Sequence, residues 1–592
     1  MANRAESSAG SLPCWVVAAV FAAGIVHLAV SLRALQVTSA ADYNYASARQ
    51  SVRRMQTAGL RGRILDRHGE VMAGNRPSLS IVCLPSGFEK RSWSNTVSAI
   101  ERGIKEVGEA IGRPSPLSRM AISRHVSQSL ALPLYVWRDI GERELAVFSE
   151  REREFAGFTV IKTAERVYPG GSLASHVLGY VGRDRGEIQS GDEKFSYFAP
   201  EMRGRSGLEA YYDGFLRGVP GEMKLLVDAR GFAIREWTVL DATPGPDIAT
   251  TIDLRIQKEV ERQLQGERGA CVVMDPRNGE VLALASAPGF ELNAFVPTLS
   301  TETYARYIDD PAKPLLNRAT GGAYAPGSTF KPVTALAALG AGHTADEEYI
   351  CTGAYACGGM TLRCMSRWGH GPLDMCHALM KSCNPFFCNL GMTTGTNAFC
   401  RAARVFGLGS KTGLDLGVDR AGVVPDGDWK MSTYGEKWYP GDLAQMSIGQ
   451  GMLLATPLQM AMVAGAIGTG SLVTPHLRLD AAPESRPLPF PESHLRIVRK
   501  GMRMVVAGDG NLRGTGWRGG EGVPVSVSGK TGTAEVGAGS SRRKNAWFIA
   551  YAPSDAPTAA VALVVENGES GGLTAAPKVC EILKAMFAED GT

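Results

Sequence analysis

Hydrophobic positions fall along this chain in three patterns. The first is a single unbroken run, Cys14 to Leu32, reading Cys-Trp-Val-Val-Ala-Ala-Val-Phe-Ala-Ala-Gly-Ile-Val-His-Leu-Ala-Val-Ser-Leu. Its length suits one membrane span. A cleaved signal peptide is the rival reading, with Ser39-Ala40-Ala41 as a small-residue site, although the apolar core of such peptides is usually roughly 7–15 residues. Charge leaves the sidedness open: Arg4 is offset by Glu6 before the run, while Arg33, Arg49, Arg53 and Arg54 follow it. Long domains translocate largely regardless of nearby charge. No second run of this length follows, so the expectation is a tail over residues 1–12, a transmembrane helix over 13–35 and the rest outside the cytoplasm.

The second pattern covers residues 36–240. Asp42 to Met55 reads as a polar helix, and Arg61 to Ala73 as an alternating strand, a His68-Gly69 turn and a second strand. Arg61, Asp66 and Arg67 are placed to pair charges within that unit. Residues 88 to 155 have a charged, helical pattern. A Pro/Gly-rich joint, Asp241 to Asp247, then marks a boundary. The third pattern, residues 241–592, opens with a strand at Ile248–Ile252 and a helix at Leu254–Leu264. Gly269 to Ser286 makes two apolar strands around a Pro276-Arg277-Asn278-Gly279 turn, the mark of a hairpin. Val333 to Leu339 is a good helix former ending at Gly340. Far downstream, an alternating strand over Val523–Ser528 is followed by a return strand over Ala546–Tyr551. The fold class expected is α+β: a membrane-spanning helix, an elongated pedestal, and a domain with a central antiparallel sheet flanked by helices.

At 592 residues the chain has room for two or three domains, and 44% hydrophobic content with a net charge of +4 excludes a disordered chain or a strongly basic nucleic-acid binder. There is no glycine-rich phosphate loop, no platform of stacking aromatics and no internal repeat.

The chemistry gathers in three short segments. In Gly327-Ser328-Thr329-Phe330-Lys331-Pro332, a Ser and a Lys three apart enter a helix on one face, about one turn apart. A buried Lys can have its pKa lowered enough to take the Ser328 proton. The bland alternative is a capping Ser and a solvated Lys. Ser382-Cys383-Asn384 lies in a turn between helical stretches. Ser382 suits a proton relay, and Asn384 suits hydrogen bonds to Lys331 and to a peptide. Lys-Thr-Gly occurs twice. Lys411-Thr412-Gly413 lies in a glycine-rich loop and reads as a decoy, whereas Lys530-Thr531-Gly532-Thr533 follows a strand that an extended peptide can join. Lys530 would supply positive potential, Thr531 and Thr533 would hydrogen-bond a substrate carboxylate with Gly532 between them in the substrate-binding set, and the backbone N–H groups of Ser328 and Thr533 would form an oxyanion hole. His176 has no nucleophile beside it in sequence and reads as structural.

Ser-x-x-Lys, Ser-x-Asn and Lys-Thr-Gly in that order are the signature of penicillin-binding proteins and serine β-lactamases, with room here for an all-helical insert between the first two. Arg61-Gly62-Arg63-Ile64-Leu65-Asp66-Arg67-His68-Gly69, Glu165 to Gly182 and Arg205 to Gly221 resemble the pedestal of class B penicillin-binding proteins. Trp368-Gly369-His370-Gly371, Gly422-Val423-Val424-Pro425 and Trp438-Tyr439-Pro440-Gly441-Asp442 resemble the elongation-specific branch, penicillin-binding protein 2. One departure is Asn545, where members often carry His. The resemblance covers nearly the whole chain and implies a peptidoglycan D,D-transpeptidase of the cytoplasmic membrane, acting through a Ser328 acyl-enzyme on D-Ala-D-Ala stem peptides and blocked by β-lactams. It also implies a SEDS-family glycosyltransferase and other elongation-complex proteins as partners. The rival readings are a division-specific transpeptidase, a secreted β-lactamase, and a non-catalytic β-lactam sensor or scaffold.

Seven of the eleven cysteines fall between 351 and 400. Cys351, Cys364, His370 and Cys383 have donor types that suit tetrahedral zinc. Some elongation-type members are similar in carrying a metal at the positions of His370 and Cys383. Disulfides, for example Cys351 with Cys364 or Cys357 with Cys376, are the alternative in an oxidising compartment. Cys388 and Cys400, among apolar residues, read as core. The acyl-transfer chemistry itself calls for no cofactor.

Overall fold

A computed structural model describes residues 14–41, 43, 51–88, 92–184, 196–198, 201–537 and 543–588; the expected tail over 1–12 lies outside them. The apolar run forms helix α1 (Cys14–Arg33), continued by a wider turn to Thr38. Its mean hydropathy is 2.2 and none of it is buried in the protein. A helix that is apolar all round and covers no core needs another apolar phase around it, and this one is long enough to cross a membrane.

The strands of the two larger pedestal sheets are β1 (Val52–Thr57), β2 (Ile64–Leu65), β3 (Val71–Cys83), β4 (Leu134–Trp137), β5 (Phe158–Val167), β6 (Ser196–Phe198), β7 (Gly221–Val227) and β8 (Ala233–Leu240), while Val181–Asp184 and Glu201–Gly204 pair separately. Of the helix predicted over Asp42–Met55, residues 42 and 44–50 lie outside the described residues, and Val52–Met55 belongs to strand β1 instead. β1 is held antiparallel to β7 and parallel to β6, and such pairing overrides a local helical pattern. One sheet runs β8-β7-β1-β6. The other runs β9-β2-β3-β4, with β5 also on β3, where β9 (Ile248–Ala249) comes from beyond the Pro/Gly joint. Helices α2 (Trp93–Ile111) and α3 (Arg119–Gln128) cover the second sheet through Ile100, Ile104, Val107, Ile122 and Val126. Ser92 caps α2 by accepting from Asn95 N, as its short side chain suits.

A buried ionic knot joins the pedestal segments. Glu209, fully buried, accepts from Arg61 Nε (2.6 Å), Arg166 Nε (2.7 Å) and Tyr168 OH (3.2 Å). Arg61 thus reaches across to Glu209 and Asp213 rather than pairing within its own hairpin. Asp66 caps the hairpin turn by accepting from His68 N and Glu70 N, and Arg67 crosses to Glu280 in the catalytic domain. Removing one partner of a buried pair strands the others. Glu209→Gln is expected to destabilise the fold by about 3–5 kcal/mol, seen as a lowered denaturant midpoint. His176 is structural, as its isolation suggests: it is buried, its Nε2 lies 2.7 Å from Pro314 O, and burial pushes its pKa down to about 4.

The catalytic domain begins with helix α4 (Leu254–Gln263) and the hairpin β10 (Gly269–Met274) and β11 (Val281–Ala287). The chain then runs through α5 (Lys331–Gly340) and four short strands, β12 (Tyr349–Cys351), β13 (Ala354–Cys357), β14 (Met360–Arg363) and β15 (Gly371–Leu373). Helices α6 (Met375–Met380), α7 (Asn384–Thr394) and α8 (Pro457–Thr469) follow, then β16 (Ser528–Val536), β17 (Arg543–Ala552), β18 (Ala559–Glu566) and α9 (Ala576–Phe587). The insert is thus not all-helical. Gly358 and Gly359, both at positive φ, turn β13 back as β14, a conformation glycine adopts without strain.

The main sheet runs β11-β10-β18-β17-β16. Alternate side chains face opposite sides of a strand. Val272, Met274, Trp547, Ile549 and Val564 join the core that holds α8, whereas Cys271, Val273, Phe548, Ala550 and Leu563 join the one that holds α4 and α9. With both faces covered, β16 is left as an edge. It starts at Ser528 rather than at Val523, because its residue-by-residue pairing with β17 begins at Ser528↔Tyr551. Lys530 to Thr533 therefore sit in the body of the strand.

Candidate active site

Ser328 lies in a tight turn, Gly327–Phe330, that leads directly into α5. Gly327 takes φ +58°, and a Cβ there would stand 3.2 Å from the Thr533 backbone, so a glycine lets the turn press against β16. Ser328 is half-buried, whereas Lys331, at the start of α5, is fully buried. Lys331 Nζ donates to Ser382 O (2.8 Å) and Asn384 Oδ1 (2.7 Å), with Ser382 Oγ at 3.4 Å. Among the described hydrogen bonds Ser328 Oγ makes none, and such catalytic contacts often tighten only when substrate binds.

Ser382 sits between α6 and α7 with φ +52°. A non-glycine residue is costly there and needs its surroundings to hold it. The holding is visible: Lys530 Nζ donates to Ser382 Oγ at 2.8 Å from the opposite side. Two buried lysines thus converge on one hydroxyl. Burial lowers the Lys331 pKa to about 8, and burial together with the charge of Lys331 drives Lys530 well below its ordinary value. Two ammoniums this close cannot both stay charged cheaply, which favours the loss of one proton.

On β16, Thr531 Oγ1 donates to Thr515 Oγ1 (2.8 Å), and Thr533 Oγ1 accepts from Gly571 N (3.4 Å). Gly532 packs on the nucleophile turn, where a Cβ would meet Thr329 at 2.8 Å and Pro326 O at 3.0 Å. The other Lys-Thr-Gly is held in a loop by Asp419, with Lys411 exposed. Thr515 and Gly571 belong to no motif, and only the fold brings them to the strand.

The predicted ligands also converge. Donor atoms of Cys351, Cys364, His370 and Cys383 lie within 4.8 Å of one another, with the three cysteines buried. Cys364 Sγ stands 4.0 Å from Cys383 Sγ and 3.5 Å from His370 Nδ1. A tetrahedral zinc spaces sulfur and nitrogen ligands roughly 3.5–3.8 Å apart, so the donor set and its spacing fit that ion. All eleven cysteines are free thiols. Cys357 rests on Met392 and Cys376 on the Ile497 carbonyl, so neither suggested disulfide is formed. Cys388 and Cys400 are core, as expected. The cluster adjoins the site directly, because Asn384 Nδ2 donates to Arg363 O (2.9 Å), the residue before Cys364.

A buried lysine three residues after a half-buried serine, a second buried lysine sharing the Ser382 hydroxyl with it, and an edge strand with two threonines are an arrangement that suits a serine acyl-transfer enzyme. Comparisons with known proteins place it further. Residues 269–584 match the penicillin binding protein transpeptidase domain and residues 56–250 the penicillin-binding protein dimerisation domain. The chain is 31% identical to the peptidoglycan D,D-transpeptidase MrdA of Escherichia coli over 575 residues, covering 92% of this chain and 89% of that one. Penicillin-binding protein 2 of Helicobacter pylori, solved in complex with MreC, is similar at a TM-score of 0.77 and 28% identity, covering 90% of this chain and 99% of that one. A chain solved in a peptidoglycan synthase complex is similar at a TM-score of 0.71 and 28% identity, covering 98% and 100%. The chain belongs to the class B penicillin-binding proteins, in the branch of penicillin-binding protein 2.

Proposed function

We propose that the protein is a peptidoglycan D,D-transpeptidase with Ser328 as nucleophile, cross-linking stem peptides during cell elongation. The observation that carries this is the convergence of Lys331 and Lys530 on Ser382 Oγ beside Ser328. Ser328 Oγ attacks the carbonyl of the D-Ala-D-Ala bond while neutral Lys331 takes its proton. The resulting oxyanion is met by the N–H groups of Ser328 and Thr533. As the tetrahedral intermediate collapses, the C–N bond breaks and the proton passes by way of Ser382 to the departing D-Ala amine. An amine from a neighbouring stem then attacks the ester carbonyl and gives its proton to Lys331; as the C–O bond breaks, Lys331 returns that proton to Ser328 Oγ, leaving the amide cross-link and the free serine. Lys530, Thr531 and Thr533 hold the terminal carboxylate. A β-lactam enters the same path at Ser328.

The test is the purified full chain in detergent, given a donor ending in D-Ala-D-Ala and an amine acceptor. D-Ala release matched by cross-linked product supports the proposal. Rapid turnover of penicillin without cross-linking would make it a β-lactamase, and neither activity would leave a scaffold.

Zinc is the metal whose geometry the cluster suits, held by Cys351, Cys364, His370 and Cys383. When bound it supplies a fixed tetrahedral clamp and no redox chemistry. The chain's own residues transmit that rigidity: Cys383 lies inside the Ser382–Asn384 loop, and Asn384 bonds back to Arg363. Elemental analysis is expected to give one zinc per chain, and Cys383→Ser to lose it. Chelation should lower the melting temperature and slow acylation by penicillin together. A metal-free protein with unchanged melting would remove zinc from this account.

For the setting, α1 supports an anchor in the cytoplasmic membrane with the catalytic domain outside, and we place the division of the chain near residues 36–240 and 241–592, a reading supported by the matches over 56–250 and 269–584. The complexes of the similar proteins support elongation-complex partners, with a SEDS-family glycosyltransferase as the partner we propose.

A further inference from the structure

The loop that carries Ser328 is tied to the sheet by a carboxylate that the chemistry above does not use. Glu566 ends β18. Its Oε1 accepts from Arg318 Nε and Tyr324 OH, both at 2.9 Å, and its Oε2 pairs with Arg268 at 2.8 Å. Arg318 is 1% exposed, and its other N–H groups donate to the Ala312 and Lys313 carbonyls. Burial pushes the Glu566 carboxyl up, but the hydrogen bonds from Arg318 and Tyr324 outweigh it and hold the group below the usual range. Burial and the Glu566 charge raise the Tyr324 pKa, so the phenol stays a neutral donor.

Tyr324 opens the approach to Ser328. Its backbone exchanges two bonds with Ala455 (2.9 and 2.8 Å), and the next carbonyl, Ala325 O, accepts from Trp547 Nε1 (3.1 Å). Gly327 N then donates to Gly449 O (2.7 Å). On the sheet side, Ala534 pairs with Asn545 and Asn545 with Glu566, while Thr533, Ala546 and Val565 form the neighbouring row. Glu566 therefore stands one residue from the row that ends in Thr533. It joins that end of the sheet to the loop before Ser328.

This matters because the two oxyanion donors lie on separate segments. The Ser328 N–H belongs to the turn before α5 and the Thr533 N–H to β16, and no single element fixes their spacing. We infer that Glu566 is a positioning residue for acyl transfer: by gripping Tyr324 it sets the separation of the two oxyanion-hole donors. The inference rests on Ser328 being the nucleophile. A displaced donor loses its grip on charge that develops only after attack, so the transition state suffers and ground-state binding does not.

The experiment compares full-length wild type, Tyr324→Phe and Glu566→Gln for acylation by a fluorescent penicillin. It also measures affinity for a boronic acid whose tetrahedral adduct places an oxygen in the oxyanion hole. Tyr324→Phe, which removes one hydroxyl and keeps the ring, is expected to lower the limiting acylation rate about 10- to 100-fold. Boronate affinity should fall by a similar factor, with the concentration giving half-maximal acylation and the melting temperature unchanged. Glu566→Gln should lose more on both measures. If Tyr324→Phe acylates and binds boronate within about twofold of wild type, well short of the effect of losing a hole donor, the inference is overturned. It is also overturned if rate falls only as the folded fraction falls. A wild-type protein that forms no adduct on Ser328 would instead defeat the nucleophile assignment, a separate result.

Discussion

Ser328→Ala is expected to abolish the covalent adduct with fluorescent penicillin, with the labelled peptide of the wild type mapping to the Gly327–Lys331 segment. The expectation is of complete loss rather than reduction, because no other hydroxyl can substitute. Ser382 is the nearest candidate by chemistry, yet it is buried, held at φ +52° and bonded to Lys530. Thr531 is bonded to Thr515 and Thr533 to Gly571 N. Ser328 alone combines access with freedom from other described hydrogen bonds. For the same reason the alanine variant should melt close to wild type. An adduct that survives on another residue would sink the assignment.

Lys331→Ala is the second large effect. Loss of a general base costs about 10²–10⁴ in rate, and here the change also leaves Ser382 O and Asn384 Oδ1 without their donor. Acylation should fall about 10³-fold or more on those grounds. Lys331→Arg should not rescue it, because a guanidinium stays charged and cannot accept the Ser328 proton. The pH profile tests the same point in the unaltered protein. Only neutral Lys331 is a base, so acylation should climb with pH and level off above about 8. Stability should follow the same sign. The folded-state pKa lies below the unfolded one, so the unfolded chain holds more protons between about 8 and the ordinary lysine value, and stability rises with pH across that window. A flat acylation profile through pH 8 would remove Lys331 as the base.

Much of the site was legible because its chemistry needs fixed residue types at short spacing. Ser328 and Lys331 are neighbours through one helical turn, and Ser382 and Asn384 flank one residue. The four metal-type donors could be named, though only the fold decides between a cluster and disulfides, since both use the same cysteines. What stayed illegible depends on contacts distant in sequence. Val52–Met55, the end of the stretch read as a polar helix, is a strand because β7 lies beside it. An acidic partner for Arg166 in the Arg205–Asp213 segment was legible, but Glu209 gives no local sign that Arg61, far back in the chain, joins Arg166 on it. Thr515 and Glu566 reach the catalytic strand and the nucleophile loop only through tertiary packing, so no spacing rule would have found them.

The place of β16 at the sheet's edge has a consequence for drug chemistry. A ligand lying along an open strand is recognised by main-chain groups, which are alike for every residue, and by whatever grips its end. Compounds sharing a carboxylate and a reactive carbonyl can therefore carry very different outer groups and still reach Ser328. On the proposed roles of Thr531 and Thr533, escape from such compounds is hard to achieve by swapping side chains along β16, since the features they would use are its backbone and two threonines that the substrate would also need. Variation that discriminates drug from substrate belongs instead on the surfaces around the strand, where the outer groups project.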